Sequence, residues 1–225
     1  MSHAELTRYA RAEYPEARQQ LETRPVLEAQ VLFFQRLDLA LSSAIKSSHH
    51  TIACQSGCDY CCHYKIEALP TEILAIKQHV VSQFKSDILR RVMDQAKRNV
   101  EQSKHLTHVE QLSINQPCPF LIDRQCSVYS VRPSNCRIYH ATDLTACKQS
   151  FDHPTETIPN TLVESIKDAG GGSAEGFEQA VKSAGMDTQL YDLSSAFLEA
   201  MQNATLPKRL KTGKKVFVVA KVVNR

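Results

Sequence analysis

The nonapeptide CQSGCDYCC, residues 54–62, holds four of the eight cysteines in the sequence. A small buried hydrophobe has no reason to gather four times in one polar loop, so core packing does not account for this spacing. Sulfurs brought together by a helical turn or a loop can instead offer several thiolate ligands to one cation. The stretch therefore predicts a metal centre that organises the fold around it.

Length and composition are those of an ordinary globular protein. The chain has 225 residues, of which 42% are hydrophobic and 23% are charged, and it can bury a core without covalent staples. It contains no apolar run of about 18 residues, and its N-terminus does not look like a secretory signal. We expect no membrane partner and a cytoplasmic location, where cysteines bind metal more often than they form disulfides.

The other four cysteines are spaced too widely to form a self-contained zinc site. The simplest arithmetic is that they complete the sites begun at 54–62, giving up to eight sulfurs and two four-sulfur sites. Sulfur-only coordination favours zinc, or iron in an iron–sulfur cluster, over calcium or magnesium. We therefore predict eight metal ligands: Cys54, Cys58, Cys61, Cys62, Cys118, Cys126, Cys136 and Cys147.

The adjacent pair Cys61 and Cys62 limits the coordination geometry, because neighbouring side chains diverge in both extended and helical backbone. The pair indicates two neighbouring metals, a polynuclear centre, or one ligand plus one thiol outside the coordination shell. His63 and His140 could each replace a cysteine as ligand, although hydrogen-bonded or exposed histidines are more common.

Hydrophobic periodicity predicts a mainly α fold: helices around an irregular cysteine-rich metal-binding centre, with at most a short hairpin or a C-terminal strand. Residues 113–154 are expected to be irregular, with one short hairpin, and held in shape by the metal. VFVVAKVV at 216–223 favours a strand. Helices are predicted at 25–48, from Thr71 to 84, and at 86–104, 174–184 and 188–203. The second of these helices is expected to have Thr71 as its N-cap.

Three ranges are expected within one compact unit. They are an N-terminal helical segment at 1–50 packed on the core, a cysteine-cluster metal-binding domain at 51–169, and C-terminal helices with a basic tail at 170–225. Four of the seven glycines stand at the last boundary and predict a flexible joint there. These are Gly170, Gly171, Gly172 and Gly176.

The order of the motifs resembles a known family. CQSGCDYCC, then CPFL at 118–121, then CSVYSVRPSNCR at 126–137 is similar to the CxxCxxCC cysteine-cluster family of zinc- or iron-chelating proteins (YkgJ-like). The resemblance covers about residues 50–150, with three residues rather than two between the first cysteines. It implies that all eight cysteines bind metal, with Cys147 the least secure match, and it implies no defined activity.

Two arginines flank Cys136, and the resemblance places them in its motif. Arg132 and Arg137 are predicted either to lie beside the ligands, neutralising the negative charge of a four-thiolate zinc site, or to be ordinary surface charges. Tyr129 is predicted to be a packed aromatic with a hydrogen-bonded hydroxyl. No catalytic residue is predicted.

Two alternative functions remain open. The first is an iron–sulfur-dependent redox or S-adenosylmethionine-dependent enzyme, since flagellin lysine methylases resemble the chain through the same cluster. The spacing Cys54-x3-Cys58-x2-Cys61 is that of radical S-adenosylmethionine enzymes, but the chain lacks their repeated βα units. The second is a zinc-stabilised nucleic-acid-binding module, because seven basic and no acidic residues follow from Lys208 onward. No aromatic pattern accompanies these charges, so the expected partner is a metal ion and not nucleic acid.

Overall fold

The computed structural model describes residues 3–159 and 161–220. This part of the chain is mainly α, as predicted, with ten α-helices and two pairs of very short antiparallel strands. The helices are α1 His3–Thr23, α2 Val26–Ser47, α3 Pro70–Gln83, α4 Ser86–Ser103, α5 His108–Leu112, α6 Ser134–Ile138, α7 Leu144–Asp152, α8 Glu164–Ser183, α9 Leu193–Gln202 and α10 Leu206–Leu210. The strands are β1 Glu67–Ala68, β2 Leu121–Ile122, β3 Gln125–Cys126 and β4 Tyr191–Asp192.

The core forms where the long helices meet. Helix α8 packs against α1 and α2, α2 also contacts α3, and α9 lies between α3 and α4. At the centre the buried rings of Phe33 and Phe177 stack with their centroids 4.2 Å apart. Strand β1 pairs with β4, with Glu67 opposite Asp192, and this pairing joins the start of α3 to the start of α9.

The glycine cluster is not a flexible joint, because all four glycines lie inside α8. A Cβ atom on Gly172 would stand 2.3 Å from the carbonyl oxygen of Leu6, and one on Gly176 would stand 2.5 Å from that of Ala10. Glycine therefore lets the backbones of α8 and α1 approach closely, and this packing outweighs its low helix propensity. The predicted helix 174–184 is the second half of α8. The division at 1–50, 51–169 and 170–225 stays a prediction, although its last boundary falls within that helix.

Helix boundaries follow the expected pattern with local corrections. Helices α2 and α4 match their predicted ranges closely. Helix α3 has Leu69 and not Thr71 as its N-cap, because Pro70 occupies the first helical position. Thr71 is fully buried, and its hydroxyl finds no partner among the described residues. Helix α9 begins at Leu193, later than predicted, because the Asp192 side chain caps it by accepting from the Ser195 N–H at 2.8 Å.

The proline-rich region 113–154 contains the predicted hairpin, β2–β3, and also α6 and α7. Asp123 and Arg124 join the two strands with φ angles of 50° and 61°. Two consecutive residues with positive φ are the signature of a tight type I′ hairpin turn. Leu121 lies opposite Cys126, so this turn fixes the backbone position of Cys126.

The predicted C-terminal strand is absent from residues 216–220, and 221–223 lie outside the described residues. Carboxylates accept hydrogen bonds from backbone N–H groups that would otherwise pair with a neighbouring strand. Val216 donates to Asp187 at 2.8 Å, and three successive N–H groups from Val218 onward donate to Glu199 at 2.8–2.9 Å. Across the described residues, no helix is both long enough and apolar enough to cross a membrane.

Candidate metal centre

All eight cysteines lie within the described residues, and all of them are free thiols. Cys54 is exposed, whereas the other seven are partly buried. All eight are therefore available as sulfur donors. Their chemistry depends on which thiols the fold brings together.

The cysteine loop begins against the segment that follows α6. The Ala53 N–H donates to the Ala141 carbonyl at 2.8 Å, and the Ala141 N–H donates to the Cys54 sulfur at 3.4 Å. Gly57 then turns the backbone with a φ of 83°, and the Cys58 N–H donates to Gln55 at 3.0 Å. This is the sharp turn before Cys58 that a glycine permits.

Cys61 and Cys62 lie in a 3₁₀ helix, Tyr60–His63. The Cys61 thiol donates a hydrogen bond to the Cys62 sulfur, which raises the pKa of Cys61 and lowers the pKa of Cys62. Because the bond stabilises one thiolate and disfavours a second, the pair favours a single negative charge.

Backbone hydrogen bonds bring the distant cysteines to this helix. The Cys118 N–H donates to the Cys62 carbonyl at 2.7 Å, and the hairpin that follows Cys118 ends at Cys126. Cys136 lies on α6. The buried Glu72 carboxylate holds the start of α6 by accepting from the N–H and hydroxyl of Ser134, at 2.8 and 2.6 Å. Glu72 is not among the predicted site residues, and its contact with Ser134 was not predicted from the sequence.

Four thiols form one mutually interacting set, which we name the inner quartet: Cys62, Cys118, Cys126 and Cys136. Burial raises the pKa of Cys118, and the other three sulfurs raise it further. Burial likewise raises the pKa of Cys136, followed by the effects of Cys126 and Cys62. Burial and then Cys62 raise the pKa of Cys126. Every pair within the quartet is therefore close enough for one thiolate to oppose the ionisation of the other.

A second set, the outer group, consists of Cys54, Cys58 and Cys147. The pKa of Cys147 is raised by burial and then by the Cys54 and Cys58 sulfurs. Burial raises the pKa of Cys58, and Cys54 and Cys62 raise it further. Cys61 stands between the sets, since Cys62, Cys136 and Cys54 all raise its pKa. The structure thus brings the eight predicted residues into one region, in which the inner quartet and the outer group also interact with each other through Cys58 and Cys61.

Helix α7 brings Cys147 to the cysteine loop. The Phe151 ring lies against Tyr60 and His63, with centroid distances of 5.6 and 4.9 Å. The Tyr64 hydroxyl donates to Ser150 at 3.1 Å. These contacts all come from the C-terminal half of α7 and hold it on the 3₁₀ helix.

Both histidines that the sequence offers as possible ligands lie close to backbone carbonyl groups. The Nδ1 atom of His63 lies 3.0 Å from the Asp59 carbonyl oxygen, and that of His140 lies 3.3 Å from the Ile138 carbonyl oxygen. Burial lowers the pKa of His140. Both rings therefore have hydrogen-bond partners in the backbone.

Backbone N–H groups also point at several of the sulfurs. The N–H two residues further on interacts with Cys58, Cys118 and Cys126, and in each case it lowers the thiol pKa against the larger effect of burial. A donor aimed at sulfur stabilises the thiolate, which is the form that binds metal.

Arg137 is almost completely buried, with 1% of its surface exposed. Its guanidinium donates to Asp38 at 2.5 Å, to the Arg132 carbonyl at 3.0 Å and to the Ser130 carbonyl, and it lies 4.2 Å from the Phe34 ring centroid. It therefore ties the loop before Cys136 to α2. Asp38, which interrupts the apolar stripe of α2 in the sequence, is the signal that could have identified this pair.

Arg132 is partly buried. It stacks on the Tyr129 ring at 3.7 Å and donates to the Tyr129 carbonyl at 3.0 Å. The prediction of a packed Tyr129 is wrong, because this residue is 64% exposed. Its ring covers the arginine and does not enter the core. Both Arg132 and Arg137 lower the pKa of Cys126.

The tip of the hairpin also contacts the cysteine loop. Arg124 donates to the Asp59 carboxylate at 3.2 Å. Asp59 lies next to Cys58 and raises the pKa of Cys58 and Cys62. Arg124 therefore offsets a negative charge that would otherwise oppose thiolate formation.

The donor set fits zinc or iron in its chemistry, but it is not a closed coordination shell. Among residues 3–159 and 161–220, no three Cys, His, Asp or Glu side chains are placed so that they could hold a metal ion. Neutral thiols have little reason to converge further, and thiolates repel one another, so only a cation favours contraction of the set. Metal binding therefore requires the sulfurs to move towards the ion.

Comparison with known families agrees with the motifs. Residues 53–158 match the family model CxxCxxCC, described as "Putative zinc- or iron-chelating domain". The predicted resemblance is thereby confirmed, over nearly the predicted range. Neither the curated proteins nor the solved structures give a match.

Proposed function

We propose that the segment matching the zinc- or iron-chelating family binds zinc or iron through the thiolates of its eight cysteines, and that the inner quartet is its principal site. The observation that carries this proposal is the mutual interaction of Cys62, Cys118, Cys126 and Cys136. These thiols come from three separate segments of the chain. Clustering four buried thiols does not stabilise a fold by itself, whereas a bound cation would stabilise their thiolate forms.

Charge balance supports the same site. Four thiolates around a divalent ion leave a net charge of about −2, which the surroundings must stabilise. Arg137 and Arg132 supply positive charge beside Cys126, and backbone N–H groups point at Cys118 and Cys126. The two arginines would thus favour the thiolate form without contacting the metal.

Metal analysis tests the proposal. Protein purified without oxygen and with a reductant is expected to contain zinc or iron, measured by elemental analysis. A visible spectrum separates the two, because zinc–thiolate sites are colourless, whereas an iron–sulfur cluster absorbs and bleaches on reduction. The double variant Cys118→Ser/Cys136→Ser should lose the metal held by the inner quartet, whereas Tyr129→Phe, which removes only the hydroxyl of an exposed side chain, should keep it.

Circular dichroism of the same samples controls for folding. Native protein that is folded and fully reduced, yet neither contains nor takes up zinc or iron, would contradict the proposal. The iron–sulfur enzyme and the nucleic-acid-binding module stay predictions from the sequence.

A further inference from the structure

A groove of about 710 Å³ lies where α2, α3 and α10 meet. Its floor consists of buried apolar side chains: Val26, Leu74, Val131 and Leu210. Its walls consist of apolar side chains that are exposed or partly exposed: Pro25, Leu27, Val31 and Pro207. The volume is typical of binding clefts, which hold about 300–1,000 Å³. The groove therefore offers a recessed apolar surface large enough to accept a ligand.

Most polar side chains of the groove already have partners. Glu28 forms an ion pair with Arg24. The Ser82 hydroxyl donates to the His79 carbonyl at 3.1 Å, and the His79 ring lies edge-on to Phe84 with centroids 6.0 Å apart. A small-molecule site needs several polar groups that converge on the ligand. This groove instead suits apolar side chains.

The α10 side of the groove is basic. Lys211 lines the groove, and Lys208 lies three residues earlier, one helical turn away. Arg209, Lys214 and Lys215 add three more positive charges within the same short segment. Within the described part of the chain, none of these five side chains forms an ion pair with a carboxylate. Their charge is therefore free to attract an anionic group from outside.

Helix α10 is fixed to the core, because Leu206 and Leu210 are fully buried. The Arg209 guanidinium closes the turn after the helix by donating to the Lys215 carbonyl at 2.7 Å. The backbone that carries the basic side chains is thus ordered before any partner arrives. Binding to such a surface costs less ordering entropy than binding to a free tail.

We propose that this groove binds an amphipathic peptide segment of a partner protein, with apolar side chains in the groove and Asp or Glu residues beside α10. An apolar recess with charge on one side is how proteins hold amphipathic segments, and charge complementarity sets the orientation of the segment. The groove joins α2 and α10, which lie outside the family match, to α3 and Val131, which lie inside it. The inference goes beyond the proposed function and does not depend on a bound metal.

Other anionic partners fit the groove less well. No Phe, Tyr or Trp lines it, so it has no ring on which a nucleic-acid base could stack. A lipid surface takes up apolar side chains that protrude from a protein, whereas these side chains line a recess. The combination of recess and charge therefore favours a peptide.

Fluorescence anisotropy with a labelled peptide tests the proposal. The probe is about four helical turns long, with leucines at helical spacing and glutamates elsewhere, and a second probe has lysine in place of each glutamate. The reduced 225-residue protein should bind the glutamate peptide saturably and at least about tenfold more tightly than the lysine peptide. This preference should weaken as the salt concentration rises.

Variants with exposed substitutions locate the binding. Val31→Glu places a carboxylate in the groove wall and should weaken binding of the glutamate peptide by about tenfold or more. Leu39→Glu is the matched control, because Leu39 is an exposed residue of the same helix outside the groove, and it should bind as the native protein does. Lys208→Glu/Lys211→Glu should reverse the preference between the two peptides, whereas Arg90→Glu on α4 should preserve it. Circular dichroism checks that each variant is folded.

Three results would overturn the proposal. The first is no saturable binding of the glutamate peptide, and the second is equal weakening by Val31→Glu and Leu39→Glu. The third is tighter binding to duplex DNA or to vesicles containing phosphatidylglycerol than to the glutamate peptide, which would assign the basic side chains to a different class of partner. Metal content is measured separately, so none of these results bears on chelation by the cysteines.

Discussion

At the scale of single residues, Arg137 connects the cysteine region to the helical core. Its guanidinium satisfies two backbone carbonyls in the loop before Cys136 and one carboxylate on α2. Because the group is buried, each of these acceptors loses its partner if the planar fork is removed. The stabilising contribution comes from this geometry and not from the charge alone.

Arg137→Lys should therefore lower the free energy of unfolding by about 2–3 kcal/mol, because the lysine cannot reach both carbonyls. Urea denaturation of metal-free protein measures the change. Asp38→Asn is the matched control: the Asp38 side chain is half exposed, so its loss should cost less than about 1 kcal/mol. An equal loss of unfolding free energy in the two variants would show that the ion pair with Asp38, and not the hydrogen bonds from the guanidinium to the two carbonyls, provides the stability.

At the scale of elements, glycines let α1 and α8 pack closely together. Gly172 and Gly176 place the α8 backbone against the carbonyl groups of Leu6 and Ala10. Gly171, the residue before Gly172, has more room, because a Cβ atom there would stand 4.0 Å from its nearest neighbour, the Leu6 side chain. Neighbouring glycines on one helix thus differ sharply in what they tolerate.

Gly172→Ala should destabilise the protein by about 1–3 kcal/mol, because the new Cβ meets the backbone of α1 and the helices must separate. Gly171→Ala should be neutral or stabilising by up to about 1 kcal/mol, since it improves helix propensity without a clash. Thermal unfolding followed by circular dichroism compares the two variants. A similar loss in both would show that the helix contact is looser than its backbone geometry implies.

At the scale of the whole molecule, the inner quartet connects elements that are distant in sequence. It joins the 3₁₀ helix, the β2–β3 hairpin and α6, and α6 in turn packs against α2 and α8. An ion held by these sulfurs would bind the folded chain and not the unfolded one. Metal binding should therefore add to global stability.

Zinc at about 100 times its dissociation constant should stabilise the reduced protein by roughly 2.7 kcal/mol. Differential scanning calorimetry should show a higher Tm with zinc and a lower one after a strong chelator is added. The Cys118→Ser/Cys136→Ser variant should lose most of this shift. A Tm that does not respond to zinc or iron in the native protein would argue against a metal that spans these elements.

The sequence determined the helical fold, a short hairpin within residues 113–154 and the clustering of the cysteines, because these follow from local patterns such as apolar periodicity and thiol spacing. It did not determine the burial of Gly172, the N-cap of α3, the exposure of Tyr129 or the pairing of Arg137 with Asp38. Only the tertiary structure decided these, and it alone separated the cysteines into an inner quartet and an outer group. The physical reason is that these features depend on contacts between segments distant in sequence. The local spacing of residues does not specify which segments come into contact.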